Sequence, residues 1–115
     1  MSKSNTELLK TQFLQLMVIT MEECGELIQE CSKSMRRNDE NHQPLKDEIG
    51  DVYCMIELCK EYGIITQKML DERVKYKKNK LKKWSNLIKW LKKRKLSVLL
   101  SNKHLNQLKN KLKYP

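Results

Sequence analysis

The sequence predicts an all-α fold, an antiparallel helical bundle with a basic helical arm at its C-terminal end. Three observations predict it. Apolar residues recur at spacings of three and four through most of the chain, which is the period of a helix face. Three glycines and two prolines in 115 residues leave little material for the tight turns of an all-β fold. Hydrophobic content of 39% beside charged content of 33% suits a small soluble helical protein and not a disordered one. The length allows one domain with one modest core.

The chain reads helical from Thr6 for about thirty residues. Leu9, Phe13, Leu16 and Met17 begin an apolar stripe that Thr20 or Met21 carries across to Cys24, Leu27, Ile28 and Cys31. Asn5 or Thr6 is the expected N-cap. Gly25, inside this run, costs about 1 kcal/mol relative to alanine and is tolerated where another helix comes close. The segment "RRNDENHQP", residues 36–44, reads as a polar turn closed by Pro44. A second helix is expected from Leu45 to Tyr62, with Ile49, Val52, Tyr53, Ile56 and Leu58 or Cys59 as its stripe. Gly63 is its left-handed stop. A third starts near Thr66 and carries Met69, Leu70, Val74, Leu81 and Trp84. The remainder has Leu, Ile and Trp at helical spacing with lysines between, and Ser101 or Asn102 is expected to break it into two short helices. Phe13, Tyr53 and Trp84 could stack on a base, but a buried aromatic is more often core, and core is the expectation.

Cys24, Cys31, Cys54 and Cys59 form no CxxC pair and sit inside helix-like segments. They are expected to be free thiols that fill small apolar spaces, not zinc ligands. The start "MSKSNTELLK" has no apolar signal region, and no stretch approaches the roughly 20 apolar residues of a membrane span. The expected location is cytoplasmic.

The carboxylates carry the functional signal. Glu22, Glu23 and Glu26 share one side of the first helix, and Glu48 and Asp51 share one side of the second. A short connection makes those helices antiparallel neighbours and sets the two groups opposite each other. Leu27, Ile28, Ile49 and Val52 flank the acids, so these carboxylates lie beside the apolar stripe, where ionised groups are costly unless paired. Crowded carboxylates either keep protons or are neutralised by divalent cations. Oxygen-only donors suit Mg²⁺, with Mn²⁺ as a substitute. A di-iron carboxylate bundle requires Glu-x-x-His pairs, and neither His42 nor His104 follows a helical glutamate by three.

The pattern "EECGELIQECSKSMR" followed by "LKDEIGDVYCMIELCKEYGI" resembles the MazG-like, all-α nucleoside triphosphate pyrophosphohydrolase superfamily, whose signature is E-E-x-x-E on one helix and E-x-x-D on the next. The likeness runs from about Leu8 to Trp84. It implies a helical bundle, completed by assembly into a dimer or tetramer, that binds Mg²⁺ and cleaves an NTP or dNTP to the monophosphate and pyrophosphate. Such enzymes clean or control nucleotide pools. Glu23, Glu26, Glu48 and Asp51 would be the metal ligands. Glu22 and Glu23 would be the catalytic pair, Glu22 lying behind the ligands or acting as the base that orients water. Pyrophosphate leaves as a highly charged group, so nearby cations are expected to hold it: Lys33 and Arg36 on the first helix, and Lys75 and Lys78 with Asn79 on the third.

These boundaries give a catalytic domain over 1–86 and a basic extension over 87–115. The net charge of +10 is divided unevenly. Residues 1–71 hold 8 Lys/Arg against 13 Asp/Glu, a net −5, whereas residues 72–115 hold 16 against one, a net +15. The extension falls outside the resemblance, and Trp90 among Lys89, Lys92, Lys93 and Arg94 has the composition of an anion-binding patch. The alternative reading is therefore a nucleic-acid-associated or structural helical oligomer that works through this arm, its acidic site inactive.

Overall fold

A computed structural model describes residues 4–37 and 41–113, and all the regular structure among them is helical. Helix α1 spans Asn5–Arg36, α2 Gln43–Glu61, α3 Gln67–Trp84 and α4 Leu87–Lys113. No described helix is long and apolar enough to cross a membrane. The chain divides into two compact units, 1–67 and 68–115. That division follows packing, whereas the expected 86/87 boundary follows the end of the family resemblance.

The first unit is a hairpin of α1 and α2. Helix α1 starts one residue earlier than expected, because Ser4 is the N-cap in place of Asn5 or Thr6. Its hydroxyl oxygen accepts a hydrogen bond from the Glu7 amide at 3.2 Å. Of the expected turn over 36–44, residues 38–40 lie outside the described residues. Pro44 does not close that turn but occupies the first turn of α2, where its missing N–H has no helical acceptor to lose. His42 precedes it in the left-handed region, with φ 50°.

The exit of α2 follows from Gly63. With φ 75° it takes the left-handed conformation that a side chain disfavours. The chain then doubles back, so that the Ile64 amide donates to Cys59 O and the Gly63 amide to Lys60 O, both at 2.9 Å. These bonds satisfy carbonyls that the helix end would leave open.

The hairpin's core is small. Leu16, 5% exposed, and Met55, 6% exposed, are the buried apolar residues among those described, and both line one shallow cleft. The expected stripes are only half covered: Met17, Leu27 and Val52 are partly buried, but Leu9, Phe13, Ile28, Ile49 and Tyr53 are exposed. The thiols are free, as the spacing suggests, yet Cys24, Cys31 and Cys54 are exposed and fill no core space. Trp84 likewise stands open to solvent.

In the second unit, α3 ends at Trp84 and the Ser85 hydroxyl donates to Leu81 O at 3.0 Å, closing the last turn. The Ser85 oxygen also accepts the Leu87 amide at 3.3 Å, which starts α4. Helix α4 continues through Ser101 and Asn102 without the expected break. Neither residue forces a helix to end when no glycine or proline is beside it.

Candidate metal centre

The acidic site is set by the register of the α1–α2 hairpin. Glu23 follows Leu16 by seven residues on α1, and Glu48 precedes Met55 by seven on α2. Seven residues make two helical turns, about 10.5 Å of axis. The buried apolar pair thereby fixes an antiparallel alignment in which Glu23 comes opposite Glu48.

Glu23 and Glu26 of α1 and Glu48 of α2 each offer a carboxylate oxygen within 4.8 Å of the others. Glu26 is exposed, whereas Glu23 and Glu48 are half-buried. One oxygen of each of these two, Oε2, is excluded from solvent and has no hydrogen-bond partner. An acceptor in that state carries a desolvation cost that a bound proton or cation would relieve.

The site's electrostatics agree with the geometry. Burial pushes the Glu23 carboxyl above its ordinary 4.5, and the negative charges of Glu26 and Asp51 push it further. A hydrogen bond with Glu48 acts in the opposite direction. Glu48 is raised to about 6, first by burial and then by the charges of Glu26, Asp51 and Glu23. Around neutral pH this pocket therefore holds more negative charge than it easily accommodates.

Three of the four expected metal ligands thus converge. The fourth, Asp51, stands one turn beyond Glu48, outside the group within 4.8 Å, yet its charge acts on both Glu23 and Glu48. Glu22 is exposed and also outside the group. Around the helix Glu26 lies between Glu22 and Glu23, and the side facing α2 is the Glu23 side. The Lys33 ammonium sits 3.3 Å from Glu30 Oε1, so it is half of an ion pair. Arg36 lies in the last turn of α1. Lys75, Lys78 and Asn79 belong to the second unit and line a groove there with residues of α4.

Two features escape the sequence reading. Met55 is absent from the predicted stripe of α2, although Glu48, Val52 and Met55 follow the i, i+4, i+7 spacing that marks one face. The groove lysines Lys82 and Lys95 were hidden among so many others. These hard carboxylate oxygens, two of them shut off from solvent and unpartnered, are donors that could hold a divalent cation. Comparison with protein-family models, with curated proteins and with solved structures finds no match. The chemistry of the site therefore has to carry the functional assignment.

Proposed function

We propose that this chain is a Mg²⁺-dependent nucleotide pyrophosphohydrolase of the MazG-like kind, which hydrolyses an NTP or dNTP to the monophosphate and pyrophosphate. The observation that carries the reading is the convergence of Glu23, Glu26 and Glu48, with two solvent-excluded, unpartnered oxygens, at the crossing of E-E-x-x-E and E-x-x-D. Glu23, Glu26 and Glu48 would hold the cation, with Asp51 completing the negative field. A divalent ion there supplies neutralisation of phosphate charge and acidification of a water. The protein's own work is positioning. Water adds across the α–β phosphoanhydride, the bond to pyrophosphate breaks, and the displaced proton passes to a carboxylate. Glu22, beside the group, orients that water. Lys33 and Arg36, downstream on the same helix, face the departing charge.

The reading includes self-association in the cytoplasm. Leu9 and Phe13, one turn apart on α1 and both exposed, supply an apolar patch for a second copy.

Product analysis tests the function. Folded protein with Mg²⁺ and each common NTP and dNTP should release pyrophosphate and monophosphate in equal amounts, and EDTA should stop it. Release of orthophosphate and a diphosphate, or no release from any nucleotide, would refute the reading.

A further inference from the structure

The second unit holds a different kind of surface. Helix α3 turns Lys75, Lys78 and Lys82 toward a groove of about 420 Å³, and α4 turns Lys92 and Lys95 toward the same groove. Its floor is apolar, made by Val74, Ile88 and Leu91. Asp71 also lines the groove, at its start one turn before Lys75, and from residue 73 to the end the sequence contains no further acid. Five ammonium groups thus flank one trough. From Lys75 to Lys82 they span about 10.5 Å of helix axis, a row suited to a succession of phosphates.

An aromatic ledge adjoins the groove. Tyr76, Lys80, Lys83 and Trp84 form a second concavity on the next side of α3, and Asn79 belongs to both. Trp84 is 79% exposed. Tyr76 is half-exposed and carries the Arg73 guanidinium 4.2 Å from its ring centroid. Tyr76 and Trp84 are eight residues apart, about 12 Å along the helix. A basic trough that tracks a backbone, bordered by exposed rings on which bases stack, is the arrangement that grips single strands without reading sequence.

We propose that the second unit binds single-stranded nucleic acid, with the phosphates along the α3–α4 groove and bases stacked on the Tyr76–Trp84 ledge. This rests on observations independent of the acidic site. An anionic membrane surface fits less well, because it asks for a helix with one apolar side. On α4, Leu87, Leu91 and Val98 share their side with Arg94, while Leu96, Leu99 and Leu100 point the other way among Lys89 and Lys92.

Both tryptophans of the chain, Trp84 and Trp90, lie in this unit, so tryptophan emission, excited selectively over tyrosine, reports on it alone. The full chain is titrated in EDTA with a fluorescein-labelled oligothymidylate, with a duplex of equal length, and with phosphatidylserine vesicles. The oligothymidylate should bind most tightly and quench the tryptophan emission. Its log K should fall against log salt with a slope of about −3.5, the value for five phosphates neutralised on a single strand. In the combined Lys82→Gln, Lys92→Gln, Lys95→Gln variant the slope should shrink to about −1.4. Trp84→Ala should weaken binding by about 5- to 100-fold with the slope kept. These side chains are exposed, and far-UV circular dichroism checks that the helices persist. An unchanged slope in the folded triple variant would overturn the proposal. So would binding of duplex or vesicles in preference to the single strand, or no binding at low salt.

Discussion

Glu23 and Glu48 stand on opposite helices of one hairpin, bring carboxylate oxygens within 4.8 Å of each other, and each hold an Oε2 that reaches neither solvent nor a hydrogen-bond donor. Such a pair is a poor structural element by itself. Like charges repel, and a buried acceptor without a partner destabilises the folded chain. Its presence beside the hairpin's small core makes sense if the site is used.

Neutralising one member therefore separates stability from activity. Glu48→Gln should raise the thermal midpoint of the metal-free protein, because it removes a charge repelled by Glu26, Asp51 and Glu23. The same substitution should lower turnover at least ~100-fold, the usual scale for losing a charge-stabilising group. Asp51→Asn should move both in the same directions. Thermal melts in EDTA and a pyrophosphate assay read the two effects. A lowered midpoint for both variants would show that the charges are paired and not repelling.

The acid pair also sets a pH dependence. The folded value for Glu48, about 6, lies above its ordinary 4.5, so the folded state binds the proton more tightly than the unfolded chain. The stability from this group is fully present below pH 4.5 and is lost as the pH rises through 6. Glu23 is shifted in the same direction. In EDTA the wild-type midpoint should fall between pH 5 and 7, and Glu48→Gln should flatten that fall. Equal pH profiles for the two proteins would remove Glu48 as the cause.

The register that aligns the acids depends on two side chains. Leu16→Ala or Met55→Ala should destabilise the hairpin by about 2–5 kcal/mol, a large share of the stability of any small domain. Because the hairpin has no other buried apolar residue among those described, neighbours have little from which to refill the space. Urea unfolding followed by circular dichroism measures the loss. A change below 0.5 kcal/mol, the usual ceiling for surface substitutions, would show that this pair does not hold the helices together.

The exit from α2 gives a backbone prediction. Gly63 has φ 75° and open space around the position of an added Cβ. Gly63→Ala therefore meets no clash, and its cost should be the left-handed conformation alone, about 1–2 kcal/mol. Urea midpoints read this directly, and a neutral result would mean that the turn relaxes at no cost.

Leu9 and Phe13, one turn apart on α1, are both exposed. Placing Glu at both should leave the hairpin's own core untouched and break self-association. Light scattering should give a multiple of 13.8 kDa for the wild type and 13.8 kDa for the double variant. A monomeric wild type would remove the subunit interface from the account.

The helices were legible in the sequence because period and punctuation agree: Gly63 sits at φ 75° where a stop was expected, and the apolar spacing marks α1, α2 and α3. Local chemistry was read less well. Ser4 caps α1 because its oxygen reaches the Glu7 amide, while Asn5 and Thr6 are already helical. Pro44 opens α2, since proline starts a helix as readily as it ends one. Three of the four acids were legible as one group because spacing of three on each helix, joined by a short connection, leaves few other arrangements. The burial of Glu23 and Glu48 was not, because it depends on the seven-residue offset from Leu16 and Met55, and Met55 was not in the predicted stripe. The lysine groove stayed hidden because a uniformly basic sequence does not say which lysines α3 and α4 turn toward each other.

The most direct test of the central claim is a Mn²⁺ titration followed by electron paramagnetic resonance at neutral pH, with wild type and Glu48→Gln side by side. The account predicts saturable binding to the wild type, weaker at pH 5 where protons compete for Glu48, and loss of that binding in the variant. A folded wild type that leaves all the Mn²⁺ free, or a Glu48→Gln variant that binds it as tightly as the wild type, would contradict it.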